Sequence, residues 1–382
     1  MPMNFFSRHA PRVVACAALS VAFLSGCATT DPDKPSPEEF EPQAFRPLTE
    51  AFDKLGYRWD WSGFPTPASG ERINFLEAWP DAVATQDSAS KITIIEPASG
   101  RVRWSGEVAS RLTRFVGLSR DREGKSDRVI SSSEAEAFVL DMQTGNLVSR
   151  ERFENVVNTP PLLLGPIGVY GTPNGELLAH RYSNSTRAWA YQASGPVEFP
   201  PILAGHIIAG ITQAGIISMI DAYSGSLAAR ARIYGGAAGT LATDGALIFV
   251  ASVDQSIYAF DAATAQKVWQ HRTSQPLAWS PVCIGARLYC HTADLGLTCF
   301  DAGTGRVIWN NENVRGSVIG TRKNDLLVWN GTEMVLLEPD QGATVARAAL
   351  PNIRKVTFDR FDDGNLYITN RAGVVGRFVP KK

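Results

Sequence analysis

The sequence predicts an all-β fold, an eight-bladed β-propeller of four-stranded blades closed by pairing the N-terminal strand with the last blade. Three observations carry that prediction. The segment Ser256 to Trp269, SIYAFDAATAQKVW, returns forty residues later as Gly296 to Trp309, GLTCFDAGTGRVIW. Weaker copies place the acidic or equivalent position at Glu96, Asp141, Arg181, Asp221, Asp261, Asp301 and Glu338, at intervals of 45, 40, 40, 40, 40 and 37 residues. A fixed period of this size marks a repeat architecture, and a four-stranded blade takes about 40 to 50 residues. Finally, the chain carries a fragment of a copy at each end, and the two fragments complement each other.

Each copy has the same internal logic. Alternating apolar residues make strands that offer one face to each of two packed neighbours. The run ends at an aspartate whose carboxylate can accept N–H groups of its own turn, as at Asp141, Asp221, Asp261 and Asp301. A glycine four residues on (Gly100, Gly145, Gly225, Gly305) supplies the positive φ that the turn requires. A tryptophan follows at Trp104, Trp189, Trp269 or Trp309, large enough to bridge to an adjacent unit. These twelve residues are expected to be structural. The third copy diverges, with Arg181 and Asn184 where Asp and Thr are expected, which fits either a looser blade or a contact site.

The ends explain the closure. After Gly364 the chain reads NLYITNRAGVVGRF and stops at Lys382, one strand short of a blade. Tyr57 to Trp61, YRWDW, reads as an outermost strand lacking the three that should precede it. Pairing the two leaves no open sheet edge in the ring, and open edges invite aggregation.

The pattern A-x-D-x-x-T-G-x-x-x-W, seen at Ala259 to Trp269 with Ala265 in place of Gly and more fully at Phe300 to Trp309, resembles the PQQ-like β-propeller repeat. Together with the N-terminal features below, the layout resembles the BamB family of outer-membrane lipoproteins. That resemblance implies eight blades over residues 52 to 382 and a scaffold role with a barrel-forming protein partner. It also implies that a loop entering the fourth blade carries the contact. Here that loop is Ser194 to Pro201, SGPVEFPP, so Val197, Glu198 and Phe199 are the candidate partner contacts. The loop has Glu198 and lacks the arginine of the family pattern. Val197 and Phe199 read equally well as strand-entry residues of the blade. Fold alone does not fix function, since one fold serves unrelated roles.

Residues 1–26 resemble a secretory signal, with Arg8 and Arg12 ahead of the apolar run Val13 to Leu24. The run is too short to span a bilayer. Leu24-Ser25-Gly26-Cys27 resembles a bacterial lipobox, which makes Cys27 the expected acylation site and the first residue of the mature chain. Acyl chains bury at about 0.8 kcal/mol per CH₂, so several of them anchor a protein stably. Ala28 follows the cysteine, which favours the periplasmic face of the outer membrane. Residues 27–50 read as a tether: positions 28–50 hold five prolines and six acids against two bases, too little apolar surface to order a segment. The propeller is expected over 51–382.

Composition excludes other classes. The 382 residues are 44% apolar and 20% charged, ordinary for a globular chain, and 35 basic against 38 acidic residues remain after position 26. No basic nucleic-acid footprint follows. The histidines His180, His206, His271 and His291 lack metal-ligand spacing, and neither G-x-S-x-G, H-E-x-x-H nor a P-loop occurs. The glycines of YGGAAG (234–239) and the pair Asp362 and Asp363 read as turns. No catalytic residue, cofactor or metal is expected. The alternatives are a propeller lipoprotein binding another envelope complex or polysaccharide, and a PQQ-dependent dehydrogenase. The alcohol-oxidising quinoproteins carry adjacent cysteines, and this chain has none. Cys290 and Cys299 sit on neighbouring strands and are open to two readings, a bridge or buried thiols. Trp79, Trp279 and Trp329 fall outside the repeat position.

Overall fold

The computed structural model describes residues 48–63, 67, 71–123 and 126–382. Those residues form eight antiparallel sheets of four strands each. Seven blades are continuous in sequence, covering 73–107, 115–152, 162–192, 202–232, 242–272, 282–311 and 317–349. The first strands of successive blades approach one another, as Ile73–Trp79 does to Phe115–Glu123 and to Ile353–Phe358, so they line the axis and the fourth strands form the rim. The middle strands are packed on both faces, which is why Ala82–Asp87 is buried at every position. Fourth strands such as Leu147–Arg152 expose one face.

The eighth blade is built from both ends of the chain. Tyr57–Gly63 pairs antiparallel with Val375–Pro380, matching Tyr57 to Pro380, Trp61 to Arg377 and Gly63 to Val375. Arg322 of blade 7 locks this junction, its side chain only 5% exposed. Its Nε donates to the Gly56 carbonyl at 3.0 Å, one terminal nitrogen to Asp363 at 2.7 Å and the other to the Lys381 carbonyl. The guanidinium also lies over the Tyr57 ring, 5.7 Å from its centroid. One cation thus holds the first and last strands of the propeller together.

A helix at Thr49–Lys54 precedes the closing strand. Phe52 is fully buried against Phe378, with ring centroids 3.9 Å apart, and Leu55 shares the same core with Leu327, Met334 and Ala348. Glu50 in the first turn and Lys54 in the last complement the helix dipole. The signal region 1–26, Cys27 and the tether up to residue 47 lie outside the described residues.

The seams between blades follow the Asp-Gly-Trp pattern. Asp301 Oδ1 accepts the Thr304 N–H at 2.8 Å and the Thr304 hydroxyl at 2.6 Å, and Asp141, Asp221 and Asp261 do the same in their turns. Gly305 has φ +70°, and a β-carbon there would sit 2.6 Å from the Trp269 indole of the preceding blade. Trp104 lies likewise on Gly145, Trp189 on Gly225 and Trp309 on Gly342. Trp61 of the closing strand covers Gly100 of blade 1 and completes the circle. The indole N–H of Trp61, Trp104, Trp269 and Trp309 each donates to the carbonyl that follows the turn acid, at 2.7 to 2.9 Å. Trp189 lacks this bond, its indole nitrogen being buried without a partner.

Where the indole is missing, the turn glycine is missing too. Ala229 stands at the tryptophan position of blade 4, and the next blade carries Ala265 at φ +58°; both pack on one apolar cluster. Blade 2 has Ser149 there, and blade 3 answers with Ser185 at φ +54°. That seam is filled instead by Tyr170 and Tyr182, whose hydroxyls lie 2.5 Å apart, with Ser132 2.7 Å from Tyr170. The divergent third repeat is thus a repacked seam. Blade 7 offers Ala346, beside the cluster that receives Phe52 of the helix.

Cys283, Cys290 and Cys299 are free thiols. The bridge considered between Cys290 and Cys299 does not form, because register pairs Cys290 with Thr298 and Cys299 with Tyr289. An offset of one residue sends the two sulfurs to opposite faces of the sheet. Cys290 packs toward blade 5 with Phe249 and Ala259, and Cys299 toward blade 7 with Val318 and Leu326.

Candidate partner-binding face

Antiparallel order sends the loops that join one blade to the next, and the turn between second and third strands, to the same end of the ring. Four joining loops have equal length: 153–161, 193–201, 233–241 and 273–281. At their centre stand Val157, Val197, Ala237 and Leu277, forty residues apart. Val157 and Val197 are fully buried and Leu277 is 4% exposed. Val197 N–H donates to the Thr172 carbonyl at 3.1 Å, and Val197 bridges to Thr212 as Ala237 does to Ser252. The side chain packs with Val169, Leu177 and Ile208. Val197 is accordingly the loop's internal anchor, and its place among the candidate contacts is corrected: a residue sealed between two blades presents no surface to a partner. The forty-residue series of apolar anchors is the signal that identifies it.

Glu198 is exposed and Phe199 half-buried, so these two of the three candidates reach the surface. Around them the same end presents apolar side chains to solvent: Leu112 is 96% exposed, Val156 48%, Tyr234 100% and Val253 46%. Tyr234 and Val253 belong to adjoining segments, since a β-carbon at Gly235 would lie 3.0 Å from Val253. Exposed large apolar side chains at this end are candidates for contact residues, Tyr being among the types enriched at binding hot spots. The sequence alone does not mark Leu112, Val156 or Tyr234 as exposed, because nothing local separates an exposed apolar loop residue from a buried one.

Several polar side chains elsewhere are tied into seams between blades. His180 Nε2 lies 3.4 Å from a Glu151 carboxylate oxygen, joining blade 3 to blade 2, and burial holds the imidazole pKa below its usual value although Glu151 pulls it up. His271 packs edge-on to Phe300 and His291 to Trp279. Arg120 grips Asp81 at 2.6 Å and Asp127 at 2.6 Å, joining blades 1 and 2, and lies over Trp79. Among the described residues no three His, Cys, Asp or Glu side chains gather as a metal site.

Comparison with known proteins agrees with this architecture. A solved BamB from Moraxella catarrhalis superposes with a TM-score of 0.64 at 17% identity, covering 82% of this chain and 97% of its own. The computationally designed Ika8 protein superposes at 0.67 with 13% identity, covering 81% and 96%. At these identities the likeness establishes the fold. No curated protein sequence matches the chain. The family model described as outer membrane protein assembly factor BamB matches residues 51–197 and 213–371, leaving Glu198 and Phe199 in the stretch between the two segments. With the greater part of its length so matched, the chain belongs to the BamB family of outer-membrane protein assembly factors.

Proposed function

We propose that this protein is a non-catalytic scaffold, anchored by lipid at Cys27 to the periplasmic face of the outer membrane, that binds a protein partner in outer-membrane protein assembly. The observation that carries the reading is the family match across both halves of the propeller. The lipobox-like Leu24 to Cys27 and the proline-rich stretch to residue 50 support an anchor and a spacer. A ring closed at its own termini is stiff, so its loops meet a partner with little ordering cost. Glu198, Phe199 and Tyr234 are the residues assigned to that contact.

A second reading has its own support. The candidate loop carries Glu198 and no arginine, and residues 198–212 lie outside the matched segments, so the partner could belong to another envelope complex or be a cell-wall polymer. Affinity purification of the full chain from crosslinked membranes separates the two. Recovery of the barrel-assembly machinery, with an acylated N-terminal Cys27 by mass spectrometry, supports the scaffold. Recovery of cell-wall or polysaccharide machinery without it overturns that assignment in favour of the second reading.

A further inference from the structure

Where the innermost strands of the first and last blades meet, a cavity of about 380 Å³ opens beside the axis, lined by Phe75, Glu77, Trp329, Arg354, Lys355 and Thr357 among others. Its volume falls within the range of small-molecule pockets, roughly 300 to 1,000 Å³. Glu77 and Lys355 sense each other electrostatically, yet no contact ion pair within 4.0 Å joins them among the described residues. The Lys355 ammonium instead stands 6.0 Å from the Phe75 ring centroid. Arg354, exposed at the cavity's edge, adds a second cation. An acid and a base thus face one space without touching, over two aromatic side chains.

We propose that this cavity binds a small zwitterion of the α-amino-acid class, its carboxylate held by Lys355 and Arg354, its ammonium by Glu77, and its side chain against Phe75 and Trp329. A simple anion there would gain two cations but meet the Glu77 carboxylate. A simple cation would gain Glu77 but meet Lys355 and Arg354. Only a molecule bearing both charges finds a partner for each, and partial burial strengthens both attractions over their value in water. Burial pushes the Glu77 carboxyl up to about 7, against the pull of Lys355, as expected of an acid without a contact counter-ion. Ligand binding here is independent of the partner contact proposed for the loops.

The test is titration calorimetry of the detergent-solubilised full chain with phenylalanine, phenylpropionate and phenethylamine, which share the ring and differ in charge. Phenylalanine is expected to bind saturably, with each single-charge analogue weaker by about tenfold or more, about 1.4 kcal/mol. Glu77→Gln should weaken phenylalanine by a similar factor while strengthening phenylpropionate, a crossed response that general loosening of the fold would not give. Absence of saturable phenylalanine binding up to about 10 mM overturns the proposal, since that is weaker than about 3 kcal/mol of affinity. Equal binding of all three ligands to the wild type overturns it as well, and needs no variant that might misfold.

Discussion

Placing alanine at Gly305 should be among the most damaging single-methyl changes in the ring. The residue has φ +70°, and its new β-carbon would fall 2.6 Å from the Trp269 indole. A left-handed backbone costs an L-residue about 1 to 2 kcal/mol. Forcing a methyl against a packed indole costs about 1 to 3 kcal/mol more. The expected loss for Gly305→Ala is therefore about 2 to 5 kcal/mol. Ala265 is the internal control, because it already holds alanine at φ +58° where the preceding blade offers Ala229 in place of an indole. Ala265→Gly should shift stability by less than about 1 kcal/mol, relief of strain being offset by a freer unfolded chain. In a Trp269→Ala background, itself costing about 3 to 5 kcal/mol, Gly305→Ala should lose only its backbone component. Urea unfolding followed by far-ultraviolet circular dichroism measures the four variants against the wild type. A loss below about 0.5 kcal/mol for Gly305→Ala, or the same loss with and without Trp269, would refute the seam argument.

Three further outcomes follow from the same geometry. Arg322→Ala removes charge-assisted bonds to Gly56, Asp363 and Lys381 and should cost about 2 to 3 kcal/mol, with faster hydrogen exchange concentrated in 57–63 and 375–380; uniform exchange across the blades would contradict its role at the junction. Burial depresses the pKa of His180, His271 and His291 in the folded state, so their contribution to stability is complete above the unfolded value of about 6.5 and fades as pH falls below it; His180→Gln should flatten that decline, and an unchanged pH profile would count against the buried placement of His180. Cys283, Cys290 and Cys299 should all alkylate in denaturant without reductant, and slowly at neutral pH in the folded protein, because burial pushes their thiols up to about 12, 12 and 11; a thiol pair that labels only after reduction would show that the register is wrong.

The parts of this fold that a reader can see in the chain are those that repeat. Asp301, Gly305 and Trp309 stand at spacings set by one turn and one strand, so seven copies reinforce each other, and the half-copies at Tyr57 and Gly364 can be matched by what each lacks. The parts that stay hidden are singular. The helix Thr49–Lys54 buries one aromatic in six residues, too little for a periodic signal. Arg322 gains its importance from main-chain carbonyls at the two chain ends, which no local pattern announces. Cys290 and Cys299 turned on a single residue of register. Val197 was readable in principle, as one of four apolar anchors at the repeat spacing, but only once loops are aligned as well as strands. Glu77 and Lys355 come from opposite ends of the sequence and meet only because the ring closes.

In the proposed complex the anchored loops, rather than the rim, meet the protein partner. Photo-crosslinking in intact cells tests it, with the reactive side chain placed in turn at Phe199 and Tyr234 on the loop face and at Val268, 49% exposed on an outer strand. The account predicts a common protein adduct from Phe199 and Tyr234 and none from Val268. An adduct from Val268 alone would contradict it.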